Sequence, residues 1–289
     1  MAAQSYKNII LIGATGSLGG NLLKSLLSEP AFKVTVLARE SSRARSSIPP
    51  AATVITIADS YPQEDLIRAF QGQDAVVNAI TSFSVAEQLR FIDAAVTAGL
   101  SPVFRDKGRV QDYLRLKEDT GLTWTAIACG MWIGWSLRNN FLGLNYSSRT
   151  ITLTDDGQGR FSTTTLANTA LALNRILLSP STTANQIVVL SDFATTQVEL
   201  VETNERLTGE TWRRESVNTA EAIPALAEAW NKGDTGAGYG LIDIGFTKGT
   251  YSGHFEPLHQ PRNRELGLPE RNLEEVVREA LGEVGHPGF

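Results

Sequence analysis

The segment NIILIG, residues 8–13, is an unbroken apolar run of the kind carried by a strand buried on both faces. After a cluster of glycines, Leu18, Leu22, Leu23, Leu26 and Leu27 recur at helical spacing until Pro30 stops the pattern. KVTVLAR (33–39) is a second β-branched run, and ATVITIAD (52–59) and DAVVNAI (74–80) are the next two, with the helical PQEDLIRAFQG (62–72) between them. Crossovers repeated in one direction predict an α/β fold with a Rossmann-type, doubly wound parallel sheet. In the second half, TLANTALALNRILLSP (165–180) predicts an amphipathic helix ended by Pro180, and NQIVVLSD (185–192) a strand returning to that sheet. RTITLTDDGQGRFSTTT (149–165) alternates as a hairpin would around Asp155, Asp156 and Gly157, and NKGDTGAGYG (231–240) reads as a loop. The expected division is 1–135 with 160–195 as the Rossmann domain, and 136–159 with 196–289 as a smaller C-terminal, substrate-facing lobe.

The glycines sit where a strand gives way to a helix, and that context gives them chemistry. Gly13, Gly16 and Gly19 follow a G-x-x-G-x-x-G spacing. Gly13 permits a sharp exit from the strand, Gly16 lets a pyrophosphate approach the backbone, and Gly19 lets the helix pack close to the sheet. The amides of Ala14, Thr15, Ser17 and Leu18 then complete an anion cradle at the helix N-terminus. The end of the second strand selects the nucleotide: an acid there binds a ribose 2′-hydroxyl, an arginine a 2′-phosphate. Arg39 stands about twenty residues past the glycines, followed by Ser41, Ser42 and Arg43, a donor set suited to a phosphate dianion; Glu40 is the competing acid. The expectation is NADP rather than NAD, lying across the strand ends beside Ala79, Ile80 and Thr81.

Composition narrows the class. At 289 residues and 42% hydrophobic the chain can bury a large core, and its net charge of -5 leaves no footprint for nucleic acid or anionic lipid. One cysteine, Cys129, excludes a disulfide framework or a cysteine metal site within the chain. His254, His259 and His286 lie near the C-terminus without ligand spacing, so no metal is expected. No apolar stretch approaches the ~18–20 residues of a membrane span, so the expectation is a soluble, cytoplasmic protein, monomeric or homodimeric, acting on a small molecule.

GATGSLGGNLL, VLAR, AVVNAI, LRFIDAAVTAG, FRDKGRVQDYL and GLTWTAI, and later GRFSTTTLANTALALNRIL, HFEP and ELGLPERNLEEVV, resemble the NmrA-like, isoflavone-reductase-like branch of the atypical short-chain dehydrogenases, in its fungal form. The resemblance spans nearly the whole chain. It implies NADPH as cofactor, a small C-terminal lobe that walls a substrate cleft, and hydride transfer to a carbonyl or enone of a small aromatic or polyketide-type metabolite. The alternative it implies is a non-redox NADP-binding protein: an NmrA-like sensor, or an isomerase or cyclase. The reductases carry a lysine at the start of the helix before GLTWTAI, and it matches Lys107. There the positive end of the helix dipole should lower its pKa toward a range useful for acid or base work.

Tyr113 and Lys117 form a Y-x-x-x-K, the pair of ordinary short-chain dehydrogenases, with Ser101 upstream. Geometry argues against it: at ~1.5 Å per residue, Tyr113 lies ~9 Å and Lys117 ~15 Å further from the helix start than Lys107. Tyr113 is expected to pack and Lys117 to be a solvated helix end. The family's fifth strand and the loop after it are apparently missing, because AAVTAGL runs directly into SPVFRDK and only SPVF could serve. Phe83, Trp132 and Trp135 are candidates for the substrate wall, with core packing as the competing role.

Overall fold

The computed structural model describes residues 5–80, 85–97, 101–105, 108–249, 253–283 and 285–286. The chain divides into two units, 1–128 with 169–188 and 129–168 with 189–289. The segments 129–135, 160–168 and 189–195, expected in the Rossmann domain, therefore fall in the second unit, which is nearly as long as the first.

The first unit is built from β1 (Asn8–Ile12), α1 (Ser17–Ser28), β2 (Lys33–Arg39), β3 (Thr53–Ile57), α2 (Gln63–Phe70), β4 (Ala75–Asn78), α3 (Val85–Thr97), β5 (Ser101–Arg105), α4 (Gly108–Leu116) and β6 (Thr125–Cys129). Further along the chain come α5 (Ile133–Arg138), β7 (Leu144–Asn145), β8 (Thr150–Thr154) and β9 (Phe161–Thr163). The chain then returns through α6 (Leu166–Leu178) and β10 (Gln186–Leu190). The sheet order is β10-β6-β5-β4-β1-β2-β3, with β1 parallel to both β2 and β4. The strand order reverses between β1 and β4, which is where doubly wound sheets place ligands. Both faces of the central strands are covered, so β1 and β4 are apolar without alternation: Ile9 to Ile12 and Ala75 to Val77 are all buried. Phe70 and Phe91 are fully buried with Ile10, Ile12 and Leu66 in one cluster. Each such side chain contributes about 1.5–3 kcal/mol.

The fifth strand is present. Ser101–Arg105 pairs in parallel with β4, Ala75 opposite Ser101 and Asn78 opposite Phe104, and with β6 from Val103 opposite Thr125. Pro102 is tolerated because pairing with β6 begins only at the next residue, so its missing N–H breaks no ladder on that side. Two residues separate β5 from α4.

The second unit contains two small sheets and a helical layer. β7 and β8 join β12 (Arg213–Val217) in the order β12-β8-β7, while β9 forms a separate sheet with β11 (Phe193–Thr195) and an isolated bridge from Thr163 to Met131. The expected hairpin is thus not one: β8 and β9 alternate alike but belong to different sheets. Asp155, at φ 53°, turns the chain out, and its carboxylate accepts the Thr219 N–H and Oγ1–H. That holds the start of a later helix, so the aspartate pair is structural. Besides α5, its helices include α7 (Gln197–Thr208), α8 (Thr219–Asn231), α9 (Thr235–Thr247) and α10 (Leu273–Glu283). The glycine-rich stretch expected as a loop lies mostly inside α9, whose N-terminus is capped by Asp234. Its glycines serve contact: a Cβ at Gly238 would lie 2.7 Å from the Trp230 ring of α8.

Candidate functional site

Ile12 of β1 stands opposite Asn78 of β4, so Gly13 and Ala79 emerge side by side at the strand ends. Gly13 turns at φ 84°, and a Cβ on it would lie 2.9 Å from the Ala79 carbonyl carbon and oxygen, so both conformation and space demand glycine. A Cβ at Gly19 would lie 2.0 Å from the Gly13 carbonyl oxygen: α1 packs onto the turn with no room for a side chain. Gly16 is the helix N-cap, its N–H donating to Gly13 O at 3.1 Å. No side chain among the described residues caps α1, and its first turn holds no acid. The first-turn amides and the positive helix end are therefore left facing the turn, the arrangement that takes up a diphosphate.

A cavity of about 390 Å³ opens beside this turn. Its wall runs from Gly13, Ala14, Thr15 and Gly16 across Val36 to Arg39 at the end of β2, then Ser42, Asp59 and Tyr61 beyond β3, and closes with Ala79, Ile80 and Glu87. Arg39 Nε is 3.8 Å from Asp59 Oδ1, both side chains about half exposed, and Ser41 Oγ donates to the same carboxylate oxygen. Tyr61 has φ 50°, a conformation that costs a bulky residue about 1–3 kcal/mol. Burial pushes its phenol above the usual tyrosine range, Arg39 opposes the rise, and Asp59 and Glu87 add to it.

The predicted residues separate accordingly. Gly13, Ala14, Thr15, Gly16, Arg39, Ala79 and Ile80 share one cavity. Ser17 opens α1 and Leu18 is buried beneath the turn, neither on the cavity wall. Arg43 begins a short 3-10 turn directly after Ser42 and is exposed, not itself among the wall residues. Thr81, Phe83 and Lys107 lie outside the described residues. Asp59, Tyr61 and Glu87 went unrecognised in the sequence. The end of a strand already assigned was a signal for the first two, but no spacing rule pointed to them.

The Y-x-x-x-K pair stands at the C-terminal end of α4. Tyr113 Oη donates to Asp93 Oδ1 at 2.7 Å, Lys117 Nζ pairs with the same oxygen at 2.9 Å, and Lys117 lies 4.8 Å from the Tyr113 ring centre. Lys117 is thus not the free solvated end expected; it joins Tyr113 in tying α4 to Asp93 of α3. Trp132 and Trp135, in the second unit, are both partly exposed, and Trp135 meets Phe141 edge-on at 5.7 Å. His254 Nε2 lies 3.5 Å from Glu256, and no cluster able to hold a metal exists among the described residues. Nor is any described helix long and apolar enough to cross a membrane.

Residues 13–101, the segment that carries the turn and the cavity wall, match a family model described as NAD(P)H-binding. Oxidoreductase aprR of Aspergillus flavus is 31% identical over 295 residues, 94% of this chain and 98% of that one. The NmrA-like family domain-containing oxidoreductase FrzB of Cladobotryum is 31% identical over 114 residues, 35% of this chain and 33% of FrzB. The crystal structure of an isoflavone reductase superposes with a TM-score of 0.73 over 95% of this chain and 99% of its own, at 16% identity. The chain belongs to the NmrA-like, isoflavone-reductase-like family. It is an NAD(P)H-binding oxidoreductase. The fold similarity extends to leucoanthocyanidin reductase of Vitis vinifera, solved with NADPH, with a TM-score of 0.76 at 19% identity over 95% of this chain and 99% of the other.

Proposed function

We propose that this oxidoreductase uses NADPH to reduce a carbonyl or enone of a small aromatic or polyketide-type metabolite. The observation that carries the cofactor choice is Arg39: a guanidinium on the cavity wall, at the strand end where the ribose lies, beside an uncapped helix N-terminus. Gly13 to Leu18 supply the diphosphate cradle, Ala79, Ile80 and Thr81 the floor toward the nicotinamide, and Arg43 a second cation beyond Arg39. Leucoanthocyanidin and isoflavone reductases, by their names, act on oxygenated ring compounds, which supports that substrate class.

NADPH supplies the hydride when bound. Lys107, the residue before Gly108 in the sequence, delivers a proton from Nζ to the carbonyl oxygen as negative charge grows there, or fixes the ribose. Phe83, Trp132 and Trp135 offer aromatic surface to the substrate ring. The test is turnover of a panel of quinones, enones and ketones with NADPH deuterated at C4. Label in the reduced product, a fall in kcat of about tenfold or more for Lys107→Gln, within the range of general acid catalysis, and an unaltered kcat for Tyr113→Phe support the reading. Tight NADPH binding with no label transferred to any acceptor refutes it.

A further inference from the structure

Tyr61 lines the cavity in left-handed backbone while its side chain packs against the core of the first unit. Among the described residues other than glycine, Tyr61, Asn140, Leu142, Arg149, Asp155 and Asn185 have left-handed backbone, and only Tyr61 of these lines this cavity. The turn it completes, with Tyr61 N–H donating to Ala58 O at 2.9 Å, would be made at less strain by glycine or asparagine. What tyrosine adds is its ring. That ring meets Phe91 edge-on, centroids 4.9 Å apart and planes at 79°, and Phe91 is fully buried. The ring thus packs against a buried neighbour, and Tyr61 lines the cavity wall. The neighbouring wall at Val36, Leu37, Ala38 and Ile80 is apolar, and the charges of Arg39, Asp59 and Glu87 surround the rim. A flat heteroaromatic base with polar edges fits such a slot: apolar faces, one aromatic platform, polar groups at the periphery.

We propose that Tyr61 is the platform on which the adenine base stacks, so that Tyr61 sets affinity for the nucleotide as a whole while Arg39 sets the choice of ribose. This rests on the nucleotide-binding reading of the cavity and goes further by giving the base its own residue.

The test is calorimetric titration of the full chain with adenosine 2′,5′-bisphosphate and with ADP, for wild type, Tyr61→Leu, Tyr61→Phe and Arg39→Ala. Thermal melts of each protein without ligand show that it is folded. Stacking on an aromatic contributes enough that Tyr61→Leu is expected to bind both ligands about ten- to a hundredfold more weakly, by a common factor. Tyr61→Phe, which keeps the ring, is expected to restore most of that affinity. Arg39→Ala is expected to weaken only the 2′-phosphorylated ligand. Folded Tyr61→Leu that binds like wild type, or Tyr61→Phe as weak as Tyr61→Leu, overturns the proposal. Wild type that takes up neither ligand overturns the nucleotide reading itself, a separate result.

Discussion

Arg39 and Asp59 face one another from the ends of adjacent strands, Nε to Oδ1 at 3.8 Å. Arg39 thus already has a carboxylate beside it, and a 2′-phosphate must share it. With both side chains about half exposed, the pair is weak, about 0.2–1 kcal/mol, and easily exchanged. Asp59→Asn removes the competitor and its repulsion of the phosphate. The expected result is NADPH affinity raised by about two- to fivefold, with NADH affinity unaltered, measured by titration at low salt.

The glycines of the turn have separable duties. An alanine at position 19 would press its Cβ to 2.0 Å from Gly13 O, and the backbone must move. Gly19→Ala is expected to cost about 1–3 kcal/mol or more in denaturant unfolding. An alanine at position 16 would find Gly13 O at 3.5 Å, an ordinary contact. Gly16→Ala is expected to keep its Tm while a methyl obstructs the phosphate. Loss of one charged hydrogen bond then weakens NADPH binding by about tenfold or more.

That contrast also explains how much was legible in the sequence. The turn could be read because strand, glycines and helix are contiguous, and the chemistry of Arg39 because it ends the next strand. Asp59 and Tyr61 reach the same cavity from β3, and nothing local in their residues announces a nucleotide. The pairing of β5 depends on strands distant in sequence, so SPVF looked too short although it is flanked by two ready partners. The residues 149–165 misled because alternation reports a buried face but not which sheet lies opposite. The stretch 231–240 misled because glycine in α9 serves close packing against Trp230, a tertiary reason invisible to turn propensity.

Asp243 of α9 accepts the Leu142 N–H at 3.0 Å within the second unit. Burial pushes its carboxyl up to about 6 from an ordinary 3.8, against the Leu142 and Gly143 amides, which act to lower it. The folded state binds this proton more tightly than the unfolded chain does. The stabilisation from this group is therefore complete below the unfolded value and is lost as pH rises through about 6. Asp243→Asn cannot ionise. Relative to wild type it is expected to gain about 1–3 kcal/mol on going from pH 4 to pH 8. Unfolding free energies of both proteins across that range check this; parallel curves contradict it.

The account stands or falls on a 2′-phosphorylated dinucleotide held by Arg39 over the head of α1. The direct measurement is the dissociation constants of NADPH and NADH for wild type and Arg39→Ala. The expected result is a wild-type preference for NADPH of about tenfold or more, the weight of a charge-assisted contact, collapsing toward unity in Arg39→Ala with NADH binding preserved. No uptake of either nucleotide, or a preference that survives Arg39→Ala, contradicts it.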